Sequence, residues 1–421
     1  VRPTPPPTVG PSTRIPSTVW LIDARDGKVI TLYEDHDVHA ITAYFDDGEA
    51  VVLRGIDFFE REAVRFDLDG NELGRAPQGA WGDCTEADGG VEVLGRFYPG
   101  VACGPISPDG SWMTYWLEDG GEIVTSPVFK LPSMTRWAID LESGERVRLQ
   151  DGLAQCQGDS FLWPAWSASS RYVYFGDCAE DGRTFLSDVV AGTTRQIAAG
   201  LPTFRSEPSW SPGADVIVYA ATDGSTVLED LGAGTVRQLT GIPWPARFDA
   251  TGTLLFTTPG RNDPNETRIY QATTGVRLAT LPGNPAVQVP YGNLALRYVP
   301  VSAVKGGFLA ALGNAPGCAG TAVYSGNALL TCATEAYGPA ISPDGASVAL
   351  SRRVGASGPV QGPGFGSISM DIYDIILVDV ATGAETVLAS GALGGNPYPT
   401  PAFWNDDGTH LLVTLPMLYG P

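Results

Sequence analysis

The chain has 421 residues, with 47 acidic and 26 basic side chains and a net charge of −21, which excludes a basic groove that holds nucleic acid by neutralising phosphates. Only 17% of residues are charged and 43% are hydrophobic, with 52 glycines and 34 prolines, so a disordered polyanion is excluded and a turn-rich globular protein is expected. No apolar run is long enough to span a bilayer as a helix. The first 18 residues carry six prolines, which hold them extended as a stalk or linker (residues 1–18) ahead of a folded domain (residues 19–421). Residue 1 is Val and no charged-then-apolar leader follows. The reading is a chain whose targeting segment has been removed, such as a lipoprotein or a stalk-anchored surface protein.

From Val19 onward the sequence repeats itself. A hairpin at VWLIDARDGKVITL is followed by eight copies of a strand, a tight Asx/Pro/Gly turn and an apolar strand. These start near Tyr44, Ile106, Ala165, Ser209, Arg247, Pro300, Ile341 and Phe403, with the fullest forms in Ile106-Ser-Pro-Asp-Gly110 and Ile341-Ser-Pro-Asp-Gly345. Seven of the eight are followed by a second hairpin, from Ala63, Arg136, Phe185, Ser225, Thr267, Thr321 and Asp374. The last copy runs into the C-terminus, and the unmatched second hairpin stands at Val19. Pairing the two ends completes the final unit and removes an open sheet edge. The expected fold is therefore all-β, a single β-propeller of eight four-stranded blades closed by its N- and C-terminal segments. Seven is the alternative count, because the copies at Tyr44 and Pro300 are the least regular.

The phrase SPDG followed by an apolar strand and then by Asp-Val-Ala-Thr-Gly-x-Glu, as in Ile341–Leu350 with Val378–Glu385, resembles the TolB-type, WD-repeat-like propeller repeat. The resemblance covers about Val19 to Leu415. It implies a propeller and, by analogy with periplasmic and surface members, protein partners within an envelope assembly. It does not choose a chemistry, because such blades serve many functions.

The six cysteines, Cys84, Cys103, Cys156, Cys178, Cys318 and Cys332, fall as three sequential pairs with neither a CxxC nor a histidine cluster. Six cysteines permit 15 connectivities. Neighbour pairing would close short loops, at about 3 kcal/mol each, and would place the protein in the periplasm, in the medium or on the cell surface.

In this scheme the short turns of every blade share one face. The long connections, 76–101, 119–135, 150–162, 281–299, 354–370 and 390–400, emerge on the other. Binding usually sits in loops on a rigid scaffold, so the partner surface is expected there. Aromatic candidates are Phe58, Phe59, Trp81, Phe97, Tyr98, Phe129, Trp163, Trp244, Tyr291, Phe365 and Tyr398. Trp166, Trp210 and Trp404 stand at the repeat turn itself and are expected to pack between blades.

Catalytic signals are sparse. Three histidines, His36, His39 and His410, exclude a histidine-rich centre by count. His36 and His39, with flanking acids, are weak metal candidates. So are Asp67, Asp69 and Glu72, which mimic the start of a calcium loop and leave structural calcium as the one cofactor to consider; the hairpin needs Asp-Gly there in any case. Gly158-Asp159-Ser160 and Gly364-Phe-Gly-Ser367 lack a GxSxG elbow with acid and histidine partners. Neither a Walker loop nor a dinucleotide fingerprint is present, and Asn265-Glu-Thr267 is a glycosylation sequon. The functional expectation is a non-catalytic extracytoplasmic scaffold or interaction component. The alternative is a propeller that acts on, or binds, polysaccharide or peptide at the loop-rich face.

Overall fold

The computed structural model describes residues 17–35, 40–55, 61–78, 84–126, 129–154, 164–177, 183–199, 208–221, 223–257, 265–285, 300–361, 367–394 and 402–415. Residues 1–16, and so most of the Pro-rich stalk, lie outside them. Among the described residues there is no helix, and most sheets are antiparallel meanders. The chain divides into two compact units, residues 1–76 with 334–421 and residues 77–333.

The first unit opens with β1 (Ser17–Asp23) and β2 (Val29–Asp35). Blade 1 follows with β3 (Ala40–Asp46), β4 (Glu49–Gly55), β5 (Arg61–Phe66) and β6 (Glu72–Gln78). The second unit holds six sheets. Blade 2 is β7 (Cys84–Ala87), β8 (Gly90–Val93) and β9 (Arg96–Pro99). Blade 3 is β10 (Trp112–Ser126), β11 (Phe129–Asp140) and β12 (Arg146–Ala154), with an Ile106–Met113 bridge in place of an inner strand. Blade 4 is β13 (Ala165–Trp166), β14 (Tyr172–Asp177), β15 (Arg183–Asp188) and β16 (Thr193–Ala199). Blade 5 is β17 (Ser209–Trp210), β18 (Val216–Ala220), β19 (Thr226–Asp230) and β20 (Thr235–Gln238). Blade 6 is β21 (Ala246–Phe248), β22 (Leu254–Thr257), β23 (Glu266–Gln271) and β24 (Arg277–Pro282). Blade 7 is β25 (Asn284–Pro285), β26 (Val301–Val304), β27 (Gly307–Gly313), β28 (Gly320–Ser325) and β29 (Ala328–Thr334). The first unit resumes with blade 8, β30 (Ala336–Ile341), β31 (Ser347–Gln361), β32 (Ser367–Asp379) and β33 (Glu385–Gly394). It ends with β34 (Ala402–Trp404) and β35 (His410–Leu415), which join β1 and β2 as blade 9 in the order β2-β1-β35-β34.

This is the β-propeller class of fold, with nine blades among the described residues rather than eight or seven. All eight units read from the repeats are present, those at Tyr44 and Pro300 included. The ninth is blade 2, inside the segment 76–101 expected to be a long connection. Its strands are four residues each and carry neither repeat phrase. Its second turn is Leu94-Gly95, both at positive φ (51° and 76°), a tight hairpin turn in which leucine takes a place usually left to Asn or Gly.

The expected closure is present within the first unit. β1 and β35 pair antiparallel, with Val19 opposite Thr414 and Leu21 opposite Leu412. Val19, Leu21, Ile22, Leu411, Leu412 and Val413 are fully buried.

Within each unit, sheets that follow one another pack face to face, and this explains the composition of the strands. A middle strand has a neighbour on both faces, so it reads as a continuous apolar run: Val216–Ala220 is buried through its centre, and five successive residues of Gly307–Gly313 are buried. An outer strand has one solvated face and alternates, as in Arg277–Pro282. Leu254, Phe256 and Ile269 of blade 6 share one core with Phe308, Leu312 and Tyr324 of blade 7. Met134 and Ala138 of blade 3 share another with Val173 and Phe175 of blade 4.

The repeat turn also latches these seams. The indole Nε1 of Trp166 donates to Pro105 O (3.1 Å), that of Trp210 to Ala165 O (2.9 Å) and that of Trp404 to Ala340 O (2.9 Å). Each acceptor precedes the matching repeat position one sheet earlier. Trp210 also stacks on Tyr174, with ring centroids 6.1 Å apart. Trp210→Phe, the residue type that blade 6 carries at the matching position (Phe248), is expected to cost about 1 kcal/mol through the lost hydrogen bond. A denaturant titration should show a lower midpoint at unchanged slope.

A second regularity is chemical. In the first turn of a blade a short polar side chain accepts the amide five residues on: Ser107 from Trp112 (2.9 Å), Asp249 from Leu254 (2.9 Å), Ser342 from Ser347 (2.9 Å) and Asn405 from His410 (2.8 Å). Any of Ser, Asp or Asn performs this role, which is why the SPDG phrase degenerates while the fold persists. The aspartates of the first and second turns are held as carboxylates. Partial burial alone would raise Asp109, but hydrogen bonds from the Ser111 hydroxyl and amide and the Ser107 hydroxyl outweigh it and bring Asp109 down to about 2. The Ser342 hydroxyl lowers Asp344, the Ser143 amide lowers Asp140 and the Thr382 hydroxyl lowers Asp379. Because folding lowers these values, the stabilisation is complete above the unfolded carboxylate value of 3.8 and is lost as pH falls towards 2. A thermal melt series should be nearly flat from about pH 7 to 5 and drop steeply below about pH 4.

Candidate functional site

The long connections of blades 3 and 8 are not loops, contrary to the expectation from their glycines and prolines. Both are continuations of strands. β10 and β31 are 15 residues long, whereas the corresponding β14 has 6 and β18 has 5. In blade 3 the β10–β11 ladder runs from Trp112↔Asp140 out to Ser126↔Phe129, while β12 accompanies β11 only as far as Ser133↔Ala154. In blade 8 the β31–β32 ladder runs out to Gln361↔Ser367, while β33 stops at Asp371↔Gly394. Beyond those points each hairpin is two-stranded among the described residues. The breakers that suggested loops are absorbed by register shifts, between Glu118 and Glu122 in one ladder and between Ala356 and Pro359 in the other.

Carboxylates clamp the base of each extension. In blade 3 the Ser133 hydroxyl donates to Asp119 Oδ2 (2.8 Å) and the Thr135 hydroxyl to Asp151 Oδ1 (3.3 Å). In blade 8 Arg353 Nε lies 2.9 Å from Asp371 Oδ1, and the Tyr373 hydroxyl donates to Asp371 Oδ2 (3.4 Å). Burial, reinforced by the Asp371 charge, pushes the Tyr373 phenol up to about 12.

Two of the three expected disulfides are formed, Cys84–Cys103 and Cys318–Cys332. Cys156 and Cys178 lie outside the described residues. Cys84 is part of β7 rather than of a loop, and both it and Cys103 are buried with Val91, Val93, Tyr98, Met113 and Tyr115. Tyr98, expected on a partner surface, is only 4% exposed and its hydroxyl donates to Leu141 O; it is a core residue of blade 2. Its neighbour Phe97 is exposed. Phe129 begins β11 opposite Ser126. Phe58, Phe59, Trp81, Trp163, Tyr291, Phe365 and Tyr398 lie outside the described residues, as do His36, His39 and Gly158–Ser160.

At the mimic of a calcium loop, Asp67 Oδ1 accepts the amides of Asp69 (3.0 Å) and Asn71 (2.7 Å), its Oδ2 accepts from Asn71 Nδ2 (2.8 Å), and Glu72 pairs with Arg75. The Asp67 side chain thus holds the turn itself, as the hairpin requires. Among the described residues no group of three His, Cys, Asp or Glu side chains is placed to hold a metal. In the sequon, Asn265 is exposed and donates to Asn314 O (2.6 Å), while the buried Thr267 hydroxyl donates to Gly283 O (2.8 Å).

One residue went unremarked in the sequence. Arg136, on β11, is 7% exposed, and its Nε and Nη1 are buried with no hydrogen-bond partner. Its guanidinium lies 4.9 Å from the Trp116 ring and 5.5 Å from the Phe175 ring. Burial alone pushes its pKa down to about 9. Other arginines of this unit are paired: Arg183 donates from Nε to the buried Asp177 (2.8 Å), Arg171 to Asp188 (2.7 Å) and Arg195 to Glu229.

No family model matches the chain, and no curated protein matches it. Among solved structures it is similar to TolB from Acinetobacter baumannii, at 12% identity over 89% of this chain and 78% of that one, with a TM-score of 0.28. It is also similar to Kuenenia stuttgartiensis hydrazine synthase, at 12% identity over 62% of this chain and 75% of that one, with a TM-score of 0.36.

Proposed function

We propose that the protein is an extracytoplasmic interaction component in which the hairpin extension of blade 3 and that of blade 8 are each a docking strand for a protein partner. The observation that carries this reading is the ladder of each extension, which continues past its third strand. A two-stranded ribbon is marginal in water on its own and presents unpaired backbone donors and acceptors along its edges. A partner strand satisfies those groups by sheet addition, with side-chain pockets supplying specificity. The blades behind supply a rigid mount, and the clamps at Asp119 and Asp371 fix where each ribbon begins. The two disulfides support an oxidising compartment. In this reading the Pro-rich residues ahead of β1 are the stalk that offsets the blades from an envelope anchor; the stalk stops short of residues 17 and 18, which are the first of β1 rather than linker.

The test is photo-cross-linking in the native source with a reactive residue placed at Val124 or at Val360, beside a control at Val236 on an outer strand. Adducts to another protein from the hairpin positions and not from Val236 support the reading. Shortened variants, with residues 121–131 or 357–369 replaced by Asn-Gly, should lose those partners while keeping the β far-ultraviolet spectrum. Shortened variants that recover the same partners as the full chain would exclude it.

A further inference from the structure

The repeat provides its own control for Arg136. Counted back four positions from the polar residue that opens the second turn (Asp140 in blade 3; Asp23, Asp67, Asp188, Asp230, Gln271, Ser325 and Asp379 elsewhere), the equivalents of Arg136 are Val19, Ala63, Thr184, Thr226, Thr267, Thr321 and Ile375. All but Ala63 are buried, and all are neutral. Two of the threonines cap a local carbonyl: the Thr226 hydroxyl donates to Ile242 O and the Thr267 hydroxyl to Gly283 O, each at 2.8 Å. The fold therefore asks for a small neutral side chain at this place, and a guanidinium serves no purpose common to the blades.

Its surroundings are unusual in the same way. Arg136 is opposite Trp116 in the β10–β11 ladder, so both face the seam towards blade 4, where Phe175 lies. Thr114, two residues before Trp116 and on the same face, has a buried hydroxyl oxygen with no partner. Arg183 in this seam has the carboxylate of Asp177, and among the described residues Arg136 has none. A buried cation left without an anion is costly. Retaining one where sister blades use threonine is what a binding group requires: an unmet demand for negative charge. The flanking rings decide the shape of what can meet it. With Trp116 and Phe175 against the guanidinium, the N–H groups in its plane are what remain, and these match the planar oxygens of a carboxylate.

We propose that the seam between blades 3 and 4 is a binding site for a carboxylate-bearing ligand, with Arg136 as its anion anchor and Trp116 and Phe175 as its walls. The site is independent of the hairpin reading, since it uses neither extension.

The test uses the full chain with both disulfides intact. Acetate is titrated at constant ionic strength against chloride, with inorganic phosphate as a second arm. Binding is followed by the thermal midpoint and by the Nε–H resonance of Arg136 in arginine-labelled protein. Acetate should give a saturable rise in the midpoint and a shift of that one resonance. Arg136→Thr, the residue of four sister positions, should fold and bind acetate roughly 30-fold more weakly or worse. Arg136→Lys keeps the charge without the planar fork and should also weaken binding, so the inference remains testable if the threonine variant does not fold. The proposal fails if acetate gives no saturable response, if the threonine or lysine variant binds it as the wild type does, or if phosphate alone binds.

Discussion

Ending the chain at Thr409, or replacing Val413 with aspartate, is expected to abolish cooperative folding of the first unit. Val413 is fully buried, lies opposite Trp20 in the β1–β35 ladder, and shares a core with Ile22 of its own sheet and Ala349 and Ile375 of blade 8. A carboxylate there has no donor to meet it. The cost exceeds about 4 kcal/mol, the range in which single substitutions unfold domains. The truncation is more severe, because it removes β35, the strand that joins β1 to β34. Hydrogen exchange read by mass spectrometry should show peptides from residues 17–35 and 336–394 losing protection together. Retained protection in residues 17–35 after the truncation would mean that β1 does not depend on β35.

The second large effect is expected from Cys84→Ser. Blade 2 has the shortest strands of any three-stranded sheet here, and the Cys84–Cys103 bridge, with a separation of 19 residues, ties it to the segment that leads into blade 3. Loss of a bridge closing a loop of this size costs about 3 kcal/mol in the chain-entropy model. That converts to roughly a hundredfold faster exchange of the amides in residues 84–99 if they open as one unit. The Cys318→Ser variant, with a separation of 14 residues, should show a loss of similar size centred on blade 7. Exchange in residues 84–99 that is unchanged in Cys84→Ser would show that the Val91, Val93 and Tyr98 cluster holds the sheet without the bridge.

Much of this architecture is legible in the sequence because one turn chemistry is written repeatedly. Ser107, Asp249, Ser342 and Asn405 accept an equivalent amide, so a reader who allows Ser, Asp or Asn recovers the register of each blade from short phrases. Blade 2 escapes such a reading because it uses neither phrase. Its signal is the alternation of Val91 and Val93 between Asp88-Gly89 and Leu94-Gly95, over strands too short to stand out. The hairpin extensions were hidden for the opposite reason. Gly120, Gly121, Gly358 and Pro359 mark a loop in most contexts, but in a long ladder a bulge accommodates them.

The candidate sites are less legible than the fold. Tyr98 lies between two recognisable repeats and so resembles a loop aromatic, yet its ring fills the core of blade 2. Position between repeats carries no information about exposure. Arg136 stood in plain view within RWAIDL. It becomes noticeable only when sister strands are aligned by the polar residue of their second turn, and its isolation from carboxylates follows from the stacking of sheets, which no local pattern encodes.

The interlocked ends have a consequence for biogenesis. Val19 finds its ladder partner at Thr414, 395 residues later. During synthesis at 5–20 residues per second, the first strand waits on the order of tens of seconds for its mate. Throughout that interval one edge of it is available to any passing β-segment, a hazard that favours chaperone escort or late maturation. β35 thus acts as a completion check, since a product cut short before it keeps a raw edge that quality-control proteases can seize.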